Sequence, residues 1–380
     1  MQSTLKRLRR GLALSVASLT WSAAARGQTT PPAGDARGGS TRDTARNTAR
    51  DTACDAACNA AWRDPSPHAV RAVAVAPGVQ LEVLDWGGTG VPLVFLPGLG
   101  NTAHAFDVFA PRFRDAYRVY GITPRGFGAS SHPDSGYDSH TRARDVLAVL
   151  DSLGIARAVL VGHSIAGDEI TRLAVEHPER TRALVYLDAY SVGPGEPTPG
   201  DWPPEPPQAR TPAMTAADSA SVPAVVAYWA RRFRLTPVEA EVRAVGRFAP
   251  SGRLELFQAP NASPQVVAGA ARSEYRRVRV PALAIYHANP TVQALFPEWP
   301  ALDAENRRMA ERFFAFDRRY RAAQVGRFRR EVRCGIVREI PGAGHYVHYT
   351  HADEVERLMR AFLTGRLPTR SPSCRVPASN

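Results

Sequence analysis

The run Val159-Leu160-Val161-Gly162-His163-Ser164-Ile165-Ala166-Gly167 passes from apolar residues into a turn of small ones with a serine at its tip. Helix-compatible sequence starts directly behind it, from Asp168 to Glu176. Strand, sharp turn and helix in so few residues is the context required of a nucleophile elbow. Such a turn needs small flanks, because a side chain there would collide with the strained backbone. Gly162 supplies the first flank; the second is Ala166 rather than glycine, with Gly167 one place later. The following helix would aim backbone N–H groups at the point where negative charge develops during an attack by Ser164. The plainer reading is a serine that only caps a helix, and it has to be weighed against the partners found elsewhere in the chain.

Outward from this stretch, short apolar runs alternate with helical spacing. Val70–Val75 and Val79–Leu84 read as a strand pair around Pro77-Gly78, and Val91–Leu96 and Tyr117–Ile122 as buried strands. Arg142–Leu153 has helical spacing, with Gly154 placed to end it. Ala183–Leu187 is a further strand, after which the alternation stops. Residues 193–212 carry eight prolines, then Ser219–Phe233 and Pro237–Phe248 read as helices. Strand character returns at Val278–Tyr286, followed by helix over Asp303–Ala323, a strand at Ile336–Ile340 and a last helix at Asp353–Leu363. Buried-type strands alternating with helices predict an α/β fold with a mostly parallel, doubly wound sheet and a helical lid inserted after strand 6. The expected division is a core over 63–189 and 278–366, a lid over 190–277 and a loose, proline-bearing tail over 367–380.

With these elements in order, the chain resembles the α/β-hydrolase superfamily over roughly Val70 to Leu363. The resemblance implies a serine nucleophile at Ser164 and a base at His345, which lies in Ile340-Pro341-Gly342-Ala343-Gly344-His345 between the last strand and the last helix. An imidazole suits that role because its pKa near 6.5 lets it take and return a proton near neutral pH. His348 and His351 follow closely and read as surface or pocket-edge residues. The oxyanion donors implied are the backbone N–H groups of Leu99, in Pro97-Gly98-Leu99-Gly100, and of Ile165. Proline stands where the superfamily usually has histidine in that loop. Arg125-Gly126-Phe127-Gly128-Ala129-Ser130 matches a second signature, a structural turn whose customary leading aspartate is Thr123 here. Most relatives place the acid after the strand Val278–Tyr286, yet His287-Ala288-Asn289-Pro290-Thr291 holds no carboxylate. A group of haloalkane dehalogenases takes its acid from the preceding strand end, which makes Asp188 the candidate, with Glu298 and Asp303 in reserve. The other reading of Asp188 is an aspartate that only organises the entry to the insertion.

Hydrophobic residues at 44% and charged residues at 22% are ordinary globular values. The net charge of +12 is not a nucleic-acid signal, since of 48 basic residues only Lys6 is lysine and the arginines are spread along the chain. Lys6, Arg7, Arg9 and Arg10, an apolar run from Gly11 to about Trp21 and Ala23-Ala24-Ala25 read as a signal peptide over 1–25. Export to the periplasm or beyond is therefore expected, and the run is far below the roughly 20 apolar residues of a membrane anchor. Residues 26–62 are a low-complexity tether by composition. It holds Cys54 and Cys58, and a disulfide from there to Cys334 or Cys374 is favoured over a metal site, although four cysteines leave three pairings open. No ligand cluster for a metal and no organic cofactor is expected. The expected chemistry is acyl transfer on a small-molecule ester or related acyl substrate, with Tyr190, Trp202, Tyr228 and Trp229, together with Phe233, as an aromatic lining from the lid. A proline iminopeptidase-like aminopeptidase, using Glu239 and Glu241 to hold a free amino terminus, and an inactive binding scaffold remain as alternatives. The oligomeric state is open.

Overall fold

The computed structural model describes residues 62–191, 201–258, 261–369 and 371–376. The signal-peptide reading of 1–25, nearly all of the tether, and Cys54 and Cys58 lie outside the described residues. The chain opens with an antiparallel pair, β1 (Ala69–Ala76) and β2 (Val79–Gly87), turned at Gly78, whose φ of +72° suits glycine. The strands β3 (Val91–Leu96), β4 (Tyr117–Ile122), β5 (Ala158–His163) and β6 (Thr181–Leu187) follow, with α1 (Ser139–Ser152) and α2 (Ala166–Glu176) as crossovers. Asp138 starts α1 by accepting from the Thr141 N–H at 2.9 Å.

After β6 the chain leaves the sheet. The insertion contains α3 (Val222–Phe233), α4 (Glu239–Val245), a small antiparallel ribbon of β7 (Gly246–Phe248) and β8 (Leu254–Phe257), and α5 (Ala262–Ala268). The helix expected to run to Phe248 stops at Val245. Gly246 turns extended there, and a Cβ at that position would lie 2.5 Å from the Phe248 ring. The sheet resumes with β9 (Ala282–Ala288) and β10 (Gly335–Pro341), joined through the long α6 (Ala304–Glu331), and α7 (Ala352–Leu363) closes the body.

The eight strands are ordered β1-β2-β4-β3-β5-β6-β9-β10. Pairing is antiparallel at β1–β2 and β2–β4 and parallel in the five pairs from β4 through β10, so the sheet is mostly parallel as expected. Every residue of β5 is buried, as a central strand covered on both faces must be. One face packs Val146, Leu150, Ile170 and Phe328 against the sheet, and the other packs Phe106, Phe113, Leu358 and Phe362. Each such side chain contributes roughly 1.5–3 kcal/mol by leaving water. Because β3, β5, β6, β9 and β10 run in parallel, the loops after their C-terminal ends gather on one edge, the place where open α/β sheets bind ligands. No helix among the described residues is long and apolar enough to cross a membrane.

Two expectations about the chain ends are corrected. The tail is not loose over 371–376: Cys374 is disulfide-bonded to Cys334 at the start of β10, and Val376 is buried in the core face that α7 covers. That bond uses both body cysteines, so neither is left to hold Cys54 or Cys58.

Candidate active site

Ser164 sits between β5 and α2 with φ +54°, a left-handed conformation that costs a non-glycine residue energy and persists only where its surroundings impose it. Those surroundings are close. A Cβ on Gly162 would lie 2.9 Å from the Ala166 carbonyl oxygen, so the first flank admits no side chain. Ala166, the departure from a second glycine, is fully buried and accommodated as the first residue of α2. The Ser164 N–H donates to the Leu187 carbonyl at 3.1 Å, which ties the turn to the end of β6, one residue before Asp188.

Asp188 also has positive φ, +47°, and is fully buried. Its backbone N–H donates to Ile285 at 2.8 Å, locking the end of β6 to β9. Four donors converge on its carboxylate. Oδ2 accepts from Nδ1 of His345 at 2.6 Å and from Nδ1 of His287 at 2.6 Å. Oδ1 accepts from the His287 backbone N–H and the Tyr190 hydroxyl, each at 3.0 Å. Burial works against the charge of this carboxylate, but the two imidazoles outweigh it and hold Asp188 well below the ordinary carboxylate range. Asp188 is thus an anion at neutral pH. His287, itself buried, is pushed below the usual imidazole value by that burial.

His345 is joined to the elbow from its other side. Its carbonyl oxygen is 3.1 Å from Nε2 of His163, the neighbour of Ser164, and the two rings lie 4.7 Å apart between centroids. Its Nδ1 is committed to Asp188, while its Nε2 is shielded from solvent and has no hydrogen-bond partner among the described residues. Of the two readings of His348, surface or pocket edge, the surface one does not hold. The residue is buried against Phe106, Phe109 and His163, and burial, with His345 nearby, drops its pKa to about 3. A ring held neutral at that depth does not compete with His345. His351 is half-buried at the start of α7.

The loop after β3 closes the arrangement. A Cβ on Gly98 would lie 3.1 Å from the Ser164 Cβ and 2.8 Å from His163 Nδ1, so this loop's backbone runs directly against the elbow. Among the described residues neither the Leu99 nor the Ile165 N–H donates to a backbone carbonyl. Leu99 and Ile165 share an apolar cluster with Phe127, Tyr137, Ala262, Val266 and Val267, and the last three come from α5 of the insertion. Asn101 and Thr102, next in the loop, are gripped by Glu241 of α4, which accepts from Asn101 Nδ2 at 2.9 Å, from the Thr102 N–H at 3.1 Å and from the Thr102 hydroxyl. Burial raises Glu241 to about 7 despite these bonds.

The structure therefore joins Asp188 to His345, sets the backbone of His345 against His163 beside Ser164, and packs the loop that carries Leu99 against Ser164 and Ile165, while most of the expected aromatic lining has other partners. Trp229 is buried in the insertion's own core with Val222, Val225 and Val242, and the Tyr228 hydroxyl donates to Pro212 at 3.2 Å. Trp202 packs on Phe313, Phe316 and Tyr320. Tyr190 lies behind the acid, stacked on Tyr286, and accepts from Arg321 of α6 at 2.6 Å. Phe233 approaches, with its ring 6.0 Å from that of Tyr346. The reserve acids are elsewhere: Glu298 pairs with Arg234 at 2.7 Å, and Asp303 caps α6 through the Asn306 N–H at 2.8 Å. The sequence reading missed His287 as a partner of Asp188, and Phe127, Val266 and Val267 as the apolar surround. A metal could find three donors at Asp188, His287 and His345, whose ligand atoms lie within 4.8 Å of one another, but hydrogen bonds already use the carboxylate and both Nδ1 atoms.

Comparison with known proteins places the fold. The family model described as "Alpha/beta hydrolase family" matches residues 93–358. The chain is similar to 2-(acetamidomethylene)succinate hydrolase of Mesorhizobium japonicum, 26% identical over 213 residues, covering 52% of this chain and 70% of that protein. It is also similar to the non-heme chloroperoxidase of Streptomyces lividans, 35% identical over 120 residues, 31% of this chain and 44% of that protein. The chain spans less than half the length of several curated relatives it matches. Among solved structures, E-2-(acetamidomethylene)succinate hydrolase superimposes with a TM-score of 0.57 at 22% identity, over 78% of this chain and 99% of that one, a likeness of fold.

Proposed function

Because the chain belongs to the alpha/beta hydrolase family, we propose that it is a serine hydrolase that cleaves carboxylic esters through an acyl-enzyme. The observation that carries the proposal is His345, with Nδ1 bonded at 2.6 Å to a buried anion and Nε2 left without a partner beside the elbow. An N–H···carboxylate bond on Nδ1 fixes the tautomer in which Nε2 is the lone-pair nitrogen, the form a general base needs. Nε2 takes the Ser164 proton as Oγ attacks the acyl carbon, and Asp188 stabilises the imidazolium that results. The N–H groups of Leu99 and Ile165 receive the developing oxyanion, with the N-terminus of α2 behind Ile165. The imidazolium then protonates the leaving alcohol. Water, deprotonated at the same Nε2, attacks the acyl-serine, and Ser164 recovers its proton as the acid product leaves. The side chains of Phe127, Val266 and Val267 give the acyl group an apolar surround, with the insertion acting as a lid. The export expected from residues 1–25 belongs to the same reading, which places the enzyme outside the cytoplasm.

The aminopeptidase alternative loses its anchors. Glu241 has both oxygens engaged by Asn101 and Thr102, and Glu239 pairs with Arg243 at 2.7 Å. Turnover of p-nitrophenyl esters of graded acyl length, run beside prolyl p-nitroanilides, tests the assignment. Ester cleavage with a burst of p-nitrophenol ahead of the steady state is expected. Anilide turnover exceeding that of every ester would replace the esterase reading.

A further inference from the structure

Away from the elbow, four side chains from two distant parts of the chain meet beside Glu82 and Trp86 of β2. Asp64 and His68 come from the segment that leads into β1, and His104 and Asp107 from the short turn that follows the Pro97–Gly100 loop. Each offers one nitrogen or carboxylate oxygen, and the four atoms all lie within 4.8 Å of one another. His104 Nδ1 is 2.7 Å from Asp107 Oδ2 and 3.4 Å from Asp64 Oδ2. His68 Nδ1 is 3.1 Å from Asp107 Oδ1, and His68 Nε2 is 3.8 Å from Asp64 Oδ2. Four ligands around zinc at about 2.0–2.1 Å would be about 3.3 Å apart at the edges of the tetrahedron, and the contacts of His104 Nδ1 with Asp107 Oδ2 at 2.7 Å and with Asp64 Oδ2 at 3.4 Å fall on either side of that value.

Two further observations point to an ion rather than to a simple hydrogen-bonded cluster. The His68 side chain is 5% exposed, yet its Nδ1, aimed at Asp107, makes no hydrogen bond of acceptable geometry. The outer contacts are also arranged as they are around ligated metals. The Asp64 Oδ1 accepts from the Ser66 N–H at 2.8 Å, which leaves Oδ2 facing both imidazoles. The Trp86 indole N–H donates to Asp107 Oδ1 at 3.1 Å. His104 turns its far nitrogen toward Glu82, 3.7 Å away. Two carboxylates and two neutral imidazoles carry a charge of −2, which a divalent cation cancels in a largely buried place.

We infer that Asp64, His68, His104 and Asp107 form a structural site for a tetrahedral divalent cation of the zinc type. Sequence alone gives no sign of this cluster, because Asp64/His68 and His104/Asp107 are each unremarkable as local pairs and meet only through the fold. The donor set of two imidazoles and two carboxylates suits Zn2+ and Co2+ better than the all-oxygen preference of Mg2+ or Ca2+. Such an ion staples the leading segment to the turn three residues beyond Asn101, and so braces the loop that carries Leu99. The competing state is a proton in place of the metal.

The test uses the full chain, stripped with chelator and then titrated with Zn2+ by calorimetry and with Co2+ by visible absorption. The proposal expects one equivalent of either ion, Co2+ bands of four-coordinate intensity and a Tm that rises with Zn2+ concentration. His68→Gln, checked for fold by circular dichroism, should weaken binding by more than the roughly 10–100-fold that loss of an outer partner costs. Asp64→Asn, at the most exposed of the four ligands, serves the same purpose if His68→Gln misfolds. No bound ion in the wild-type chain means that the cluster is a proton-bridged network, and the proposal fails. It fails equally if the ion binds with unchanged affinity in both variants, or if His345→Ala rather than His68→Gln removes it, which would move the ion to Asp188, His287 and His345.

Discussion

Replacing Asp188 with asparagine keeps the volume of the side chain and removes its charge, and the site's geometry fixes what should follow. The Oδ1 position faces two donors, the His287 backbone N–H and the Tyr190 hydroxyl, so the amide oxygen of Asp188→Asn belongs there. The amide NH2 then faces Nδ1 of His345 and of His287, both of which donate in the wild-type chain. Two donors cannot share that contact, so His345 must present a lone pair on Nδ1 and carry its proton on Nε2. That is the wrong tautomer for deprotonating Ser164, and the imidazolium also loses its counter-ion. Loss of this kind in serine triads costs about 10^4 in kcat. A drop of about 10^3–10^4 is expected here, corresponding to ~4–5.5 kcal/mol of activation free energy, with KM little changed because Asp188 does not line the acyl surround. The assay is steady-state and burst kinetics on a p-nitrophenyl ester, with circular dichroism and a urea midpoint to show that the variant is folded. A folded Asp188→Asn variant within about tenfold of wild-type kcat/KM would refute the reasoning, because it would mean that the 2.6 Å contact does not set the tautomer of His345.

The other perturbations read separate parts of the structure. Gly98→Ala puts a methyl 3.1 Å from the Ser164 Cβ and 2.8 Å from His163 Nδ1, so the loop must shift; ester kcat should fall by about 10^2–10^3, as when an oxyanion donor is displaced, and undiminished kcat would detach Leu99 from the reaction. Glu241 binds its proton more tightly folded, at about 7, than at its ordinary 4.5, so its contribution to stability is full below about pH 4.5 and is lost as pH rises through 7. Glu241→Gln should remove that dependence, up to about 3 kcal/mol; urea midpoints at both ends of the range check it, and parallel profiles for the two proteins would contradict it. Replacing Cys334 and Cys374 together by alanine opens a crosslink with a sequence separation of 40. The chain-entropy cost for such a loop is about 4 kcal/mol, read as a lowered urea midpoint in the oxidised protein only.

The sheet was legible because strand composition carries it: the apolar runs at Val91–Leu96 and Tyr117–Ile122 coincide with β3 and β4, and the apolar start of the run from Val159 lies within β5. Ser164, His345 and Asp188 were legible as candidates because the resemblance assigns such roles to particular strand ends, and the apolar runs mark where those strands end. His287 was not, since its role depends on β6 and β9 being neighbours with Leu187 opposite Ile285. That register sets Asp188 beside the end of β9, so the position that lacks a carboxylate offers a second imidazole to the carboxylate next door. Tyr228 and Trp229 show the opposite failure. An aromatic stripe on a helix states that one face is buried but not against what, and α3 buries Trp229 against α4 rather than toward Ser164. The tail was misread because composition is silent about a disulfide that pins it, and His348 because proximity to a helix start does not reveal the Phe106 and Phe109 rings over it.

The most direct test of the central claim, that Ser164 is a nucleophile activated by His345, is labelling with a fluorophosphonate followed by peptide mass spectrometry. The account predicts one adduct, on Ser164, formed by the wild-type chain and slowed by orders of magnitude in a folded His345→Ala variant. An unlabelled wild-type protein, an adduct on another residue, or labelling of the His345→Ala variant at the wild-type rate would contradict it.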